Sequence, residues 1–144
     1  MSETQSVDLR AIIASARVIA VLGAHPDPTR PAFYVPQDLK DAGARLLPVN
    51  AQRVGESLWG EPIRATLAEL NEAVDVVDVF RRAEHLHAHL DDVLAMRPLP
   101  RVVWLQAGIE DETFAQSLRD VGITVVQNRC MLADRRRLAV EHIR

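Results

Sequence analysis

The sequence predicts an α/β domain, doubly wound around a mainly parallel sheet of about five strands. Two observations carry this expectation. Short apolar runs recur at residues 18–22, 46–49, 74–80, 102–105 and 123–126, and several are continuous rather than alternating, as in strands covered on both faces. Helical patterns separate the runs, and right-handed crossovers lay each strand–helix–strand unit onto one growing sheet. A length of 144 residues fits one domain, and neither a repeat nor a low-complexity linker marks a second.

Taken in order, residues 7–14 predict a leading helix before the first strand. Residues 35–42 form the first crossover helix, with Gly43 where a left-handed turn ends it. Residues 67–70 make a short helix that Thr66 is placed to cap. Residues 84–96 make a longer one, closed by Pro98 and Pro100. In 111–120, Phe114 and Leu118 stand four apart and share the face packed on the sheet, and Gly122 follows. The expected organisation is residues 1–11 as a tail or leading helix, 12–138 as the domain and 139–144 as a C-terminal tail.

Composition narrows the function. Seventeen Lys and Arg against 20 Asp and Glu give a formal charge of −3, which leaves no basic sheath for a nucleic-acid backbone. The single cysteine, Cys130, excludes an intrachain disulfide and a cysteine metal cluster. The polar N-terminus lacks a signal pattern, and no apolar run nears the roughly 20 residues that span a bilayer. The expectation is a soluble cytoplasmic protein without nucleic-acid or membrane partners.

The informative loops follow the strands. The first strand runs into Gly23-Ala24-His25-Pro26-Asp27-Pro28-Thr29-Arg30-Pro31, at the carboxyl edge where doubly wound sheets bind ligands. Gly23 permits close backbone approach, amides at the next helix start face an anion, and Arg30 offers a forked donor for phosphate. The string is neither GxGxxG nor GxxxxGK[ST], so the usual dinucleotide and P-loop readings lose their warrant. Asn50, Phe80-Arg81-Arg82, Gln106-Ala107-Gly108-Ile109 and Asn128-Arg129-Cys130 follow the later strands. Their convergence would suit a polar ligand with an apolar portion. Taken singly, Asn50 and Arg82 also read as local turn bonding and a solvated ion pair.

In this order the motifs resemble the small bacterial CoA-binding proteins related to the CoA-binding domain of the succinyl-CoA synthetase alpha subunit. The resemblance covers roughly residues 12–138. It rests on Val21-Leu22-Gly23-Ala24-His25 with Arg30-Pro31, Leu47-Pro48-Val49-Asn50, the run from Val74 to Arg81, Val103-Trp104-Leu105-Gln106-Ala107-Gly108-Ile109, and Val125-Val126 with Asn128-Arg129-Cys130. It implies a Rossmann-like domain with CoA or acyl-CoA over the carboxyl ends of the strands. Gly23, Ala24, His25, Arg30 and Pro31 would face the phosphates, the loop after Asn50 the adenosine, and Phe80, Arg81, Gln106, Gly108 and Ile109 the remaining walls. The chain departs from the family where His25 replaces a frequent serine, Ala51 a frequent proline, and Asn128 a frequent aspartate.

The resemblance carries binding rather than synthetase chemistry, because 144 residues leave no room for the second domain that bears the ligase's phosphorylated histidine. No catalytic residue and no metal ligand is assigned. His85 and His89 share a helical face without a third ligand or an HExxH pattern, Asp75 and Asp78 fall on different sheet faces, and Trp59 and Trp104 read as packing residues. Cys130 reads as structural, although a mixed disulfide with the CoA thiol is chemically open to it. The leading expectation is a noncatalytic CoA or acyl-CoA binding module, with a homo-oligomer allowed. The alternatives are an enzyme or subunit acting on a CoA thioester with a missing catalytic partner, and a structural or interaction protein with a degenerate nucleotide site. NAD(P) binding stands behind these.

Overall fold

The computed structural model describes residues 7–144, so the first six residues of the expected 1–11 segment lie outside the described residues. Its elements are α1 (Leu9–Ala14), β1 (Val18–Leu22), α2 (Pro31–Asp41), β2 (Arg45–Val49), β3 (Ser57–Leu58), β4 (Glu61–Pro62), β5 (Val76–Val79), α3 (His87–Leu94), β6 (Val102–Leu105), α4 (Glu112–Arg119), β7 (Thr124–Val126) and α5 (Met131–Arg137). Five strands form one parallel sheet in the order β2-β1-β5-β6-β7, and β3 and β4 pair separately as an antiparallel hairpin. The fold is the expected doubly wound, Rossmann-like α/β domain. Winding runs outward from β1 to β2, then reverses to β5, which opens a crevice at their carboxyl ends.

The near-continuous apolar strands are explained by burial on both faces. Ile19 and Val21 point to a layer with Ile13 of α1, Leu39 of α2 and Met131 of α5. Ala20 and Leu22 point to the opposite layer, with Leu67, Val93 of α3, and Phe114 and Leu118 of α4. Side chains alternate across a strand, so one run of valines and leucines fills two cores. Asp8 caps α1 by accepting from Ala11 N–H at 3.0 Å, and Asp111 caps α4 by accepting from Phe114 N–H at 3.0 Å.

Four local differences from the sequence reading have physical causes. Helix α2 begins at Pro31 rather than at 35, because proline is tolerated in the first turn where its missing N–H has no partner to lose. Segment 84–96 divides into a 3-10 turn, Ala83–His85, and the shorter α3, so His85 and His89 do not share one α-helical face. The β3–β4 hairpin turns through Trp59 and Gly60, both at positive φ (56° and 77°), and its two-residue strands are too short to leave a periodic signal. Helix α5 is short and rich in arginine. Tertiary ion pairs hold it, with Arg135 bidentate to Asp38 of α2 at 2.6 and 2.8 Å.

The chain's last residues close the α1–α2–α5 layer. Val140 and Ile143 are buried, Ile143 N–H donates to Ala42 O (2.8 Å), and Arg144 N–H donates to Ala14 O (3.0 Å). Gly43, at φ +126°, lets this segment pass, since a Cβ there would lie 2.6 Å from Ile143 O. No helix among the described residues is long and apolar enough to cross a membrane.

Candidate functional site

The site is built from the loops that leave β1, β2, β5, β6 and β7 at one edge of the sheet. After β1 the chain turns at Gly23, with φ +88° and its N–H donating to Val49 O at 2.9 Å. A Cβ at Gly23 would stand 2.9 Å from Phe80 O and 3.2 Å from Arg81 Cδ, so the β1 and β5 loops meet only because this residue has no side chain. Asn50 ties the β2 loop to the same place. Its Nδ2 donates to Ala24 O (2.9 Å), while its Oδ1 accepts from Gln52 N–H (2.9 Å).

Beside this junction lies a cleft of about 560 Å³, lined by Arg30, Pro31, Ala32, Tyr34 and Val35 from the start of α2, Phe80 and Arg82 after β5, Gln106, Ala107 and Ile109 after β6, and Cys130 before α5. Its volume is that of a small-molecule site, and its walls are mostly apolar with a few convergent polar groups. Arg30 stands at its rim with a largely exposed side chain, 3.8 Å from Asp27 Oδ2. A hollow of about 530 Å³ between α1 and β7, at the amino ends of the strands, differs in kind. There Arg101 is held by Asp75 (3.2 Å) and Arg119 by Glu112 (2.7 Å), so its cations are already engaged.

Two titratable groups give the site its electrostatics. Asp78, in the central strand β5, is fully buried and accepts from Gln106 Nε2, while its other oxygen is buried without a partner. Burial pushes its carboxyl up to about 7, only partly offset by the Gln106 amide. Gln106 is thereby anchored from below as it lines the cleft. His25 is held down from its ordinary value by burial first, then by the positive charges of Arg30 and Arg53. Its Nδ1 accepts from Asp27 N–H (3.1 Å) and its Nε2 lies 2.9 Å from Arg53 Nη2.

The expected residues therefore fall into three groups. Arg30, Pro31, Phe80, Gln106 and Ile109 line the cleft together. Gly23, Ala24, His25 and Asn50 form the junction beside it. Arg81 and Gly108 stand outside the cleft lining. The Arg81 chain packs against Gly23 with its Nε buried and unpartnered, and Arg82 is the arginine that faces the cleft. Gly108 N–H donates to Asn128 Oδ1 (2.7 Å), which links the β6 and β7 loops.

Sequence reasoning missed Tyr34, Arg53 and the role of Asp78. Tyr34 faces the cleft because α2 starts early enough to place it one turn after Arg30. Arg53 sits in an aperiodic loop and reaches His25 across 28 residues, so nothing local marks it. Asp78 did leave a signal, an acid inside a continuous valine run that is buried on both faces. The histidines after β5 go separate ways: His85 lies 3.8 Å from Glu84 and His87 3.3 Å from Asp111, while His89 is half-buried with its pKa lowered by burial and then by Arg81. Among the described residues no three metal-ligating side chains are grouped closely enough to hold an ion.

Relatives place this architecture. Residues 17–136 match the family described as CoA binding domain. The protein YneT of Bacillus subtilis (strain 168), described only as uncharacterized, is 30% identical over 131 residues, covering 91% of this chain and 94% of YneT. A Thermus thermophilus protein solved as cell-free ID.343 superposes with a TM-score of 0.86 at 48% identity, over 96% of this chain and 99% of that one. A dinucleotide-forming acetyl-coenzyme A synthetase of Ca. Korarchaeum cryptofilum shares the fold, with a TM-score of 0.65 and 18% identity over 82% of this chain but 26% of the synthetase. With the family match spanning most of its length, and the cleft at the carboxyl edge of its parallel sheet, the chain belongs to the CoA-binding domain family.

Proposed function

We propose that this protein binds CoA or an acyl-CoA as a noncatalytic module, with the nucleotide phosphates at the β1–α2 loop and the pantetheine arm in the cleft. The observation that carries the reading is the cleft itself: an apolar trough of about 560 Å³ at the winding reversal, with Arg30 and Arg82 at its lining and the Gly23 junction beside it. CoA is a long molecule with an anionic end and a largely neutral arm, and this division of charge matches it. In this reading Gly23, Ala24, His25, Arg30 and Pro31 face phosphate, the Asn50 loop faces adenosine, and Phe80, Gln106 and Ile109 flank the arm. Arg81 stiffens the junction from behind, and Gly108 holds the β6 loop in place. The relation to the succinyl-CoA synthetase alpha subunit belongs to the same proposal, as do a cytoplasmic location and a homo-oligomeric state.

Isothermal titration of the ligand-free protein with CoA, with NAD and ATP as controls, tests it. The expected result is saturable, near-stoichiometric heat with CoA, weakened by Arg30→Ala and by Ile109→Trp, which fills the cleft. Absence of heat with CoA from a sample shown to be folded would overturn the reading.

A further inference from the structure

His25 sits in a hydrogen-bonding conflict, because both of its ring nitrogens face donors. Asp27 N–H donates to its Nδ1 at 3.1 Å, so in the neutral ring the single proton is on Nε2. Nε2 lies 2.9 Å from Arg53 Nη2, and a guanidinium nitrogen is also only a donor. The other tautomer moves the conflict to Nδ1 and Asp27 N–H without removing it. Two N–H groups that face each other at hydrogen-bond distance share one natural partner, an anionic oxygen.

The surroundings supply positive charge that is only partly spent. Arg53 uses Nη1 on Glu56 at 3.4 Å and presents Nη2 to the ring. Arg30 comes from the start of α2 with a side chain that is 60% exposed, and it acts on His25 as a second cation. The charges facing His25 are Arg30, Arg53, Asp27 and Glu56. Asp27 and Glu56 oppose the two arginines, and the Asp27 carboxylate is fixed in place by Thr29 N–H (2.9 Å) and Thr29 Oγ1–H (2.7 Å).

We infer that His25 and Arg53 form a proton-coupled phosphate clamp, in which a ligand phosphate inserts between Nε2 and Nη2 and His25 takes up one proton from solvent as it binds. This rests on the CoA reading above and assigns regulation within it. Two arginines beside the ring favour the neutral imidazole. A phosphate carrying one or two negative charges reverses that balance and favours the imidazolium, whose added proton sits on Nδ1 and requires the Asp27 N–H, itself a donor, to turn away from the ring. The sign follows directly: binding that takes up a proton tightens as pH falls, by at most about tenfold per pH unit. The conserved chemistry of any phosphate suffices, so both the diphosphate and the 3′-phosphate of CoA are candidates for the clamp.

The test is titration of the wild-type protein with CoA at pH 6.5, 7.25 and 8.0, in two buffers of different ionisation enthalpy. The expected result is a net uptake approaching one proton per CoA near neutrality and affinity falling about five- to tenfold across the range. His25→Gln, whose fold is checked by its melting curve, should bind more weakly at pH 6.5 and vary less than about twofold with pH. Arg53→Gln should lose both affinity and uptake. Dephospho-CoA identifies the phosphate: lost uptake points to the 3′-phosphate, and retained uptake points to the diphosphate. Equal heats in both buffers with CoA bound, or a pH profile unchanged by His25→Gln, would overturn the clamp while leaving CoA binding intact. If CoA itself does not bind, the CoA reading fails, and the clamp is judged by pyrophosphate alone through the His25 ring resonances. An upward shift in the pH midpoint of those resonances supports it, and an unchanged midpoint overturns it.

Discussion

Replacing Asp78 by asparagine should remove a large part of the protein's dependence of stability on pH. Asp78 is fully buried in β5, between Val21 of β1 and Trp104 of β6 in the sheet register, with one oxygen unpartnered. Its carboxyl is raised from 3.8 to about 7, chiefly by burial. Between those values the folded protein holds a proton that the unfolded chain releases, so stability falls as pH rises and levels off above the folded value. From pH 5 to pH 8 the loss spans about two pH units, and at roughly 1.4 kcal/mol per unit it amounts to ~3 kcal/mol. His25 and His89, both lowered, act in the opposite direction near pH 6.5, and they remain in the variant, so the difference between the two proteins isolates Asp78. Asparagine keeps an oxygen for Gln106 Nε2 but buries an N–H₂ where the free oxygen was, a penalty of about 1–3 kcal/mol at every pH. Urea unfolding of both proteins at pH 5, 6, 7 and 8 should show Asp78→Asn the less stable at pH 5, with the gap closing by ~3 kcal/mol at pH 8. Parallel profiles at a constant gap would refute the reasoning.

Four further outcomes follow from local geometry. Gly23→Ala forces a side chain into a left-handed residue with its Cβ 2.9 Å from Phe80 O, and should lose about 2–4 kcal/mol in urea unfolding together with CoA-dependent stabilisation. Asn50→Ala removes the tie to Ala24 O, with about 1 kcal/mol lost in unfolding and a larger relative loss of CoA affinity by titration. Arg135→Ala breaks the bidentate pair that seats α5 on α2 and leaves Asp38 largely buried, so the melting curve should register about 2–3 kcal/mol. Cys130 lines the cleft, so its alkylation by iodoacetamide should slow when CoA is present, which mass spectrometry reads directly.

Much of the fold was legible because hydrophobic periodicity is a local record of burial. The five apolar runs correspond to the five sheet strands within a residue or two. Residues flanking β5 stay tied to β1: Asp75 N–H donates to Val18 O (2.9 Å) while its side chain accepts from Val18 N–H (2.9 Å), and Phe80 N–H donates to Leu22 O (2.9 Å) as its side chain joins the cleft lining. Helix α5 was not legible, since a short arginine-rich segment has no strong helical pattern of its own and depends on Asp38 from 97 residues away.

The candidate site divides along the same line. Loops at the ends of strands are predictable once the strands are, so Arg30, Pro31, Phe80, Gln106 and Ile109 could be assembled at one edge from order alone. Side-chain direction could not. Arg81 and Arg82 are adjacent, and only the close approach of Gly23 to the β5 loop turns Arg81 away and leaves Arg82 to the cleft.

The amino-acid sequence by itself determined the doubly wound class, the strand runs and the edge at which polar loops gather, because each depends on neighbours a few residues apart. Tertiary structure decided the winding reversal between β1 and β5, the meeting of His25 with Arg53, and the burial of Asp78 beneath Gln106. Those depend on which distant segments share a boundary and how much water is left between them, and both follow from packing in three dimensions rather than from local pattern.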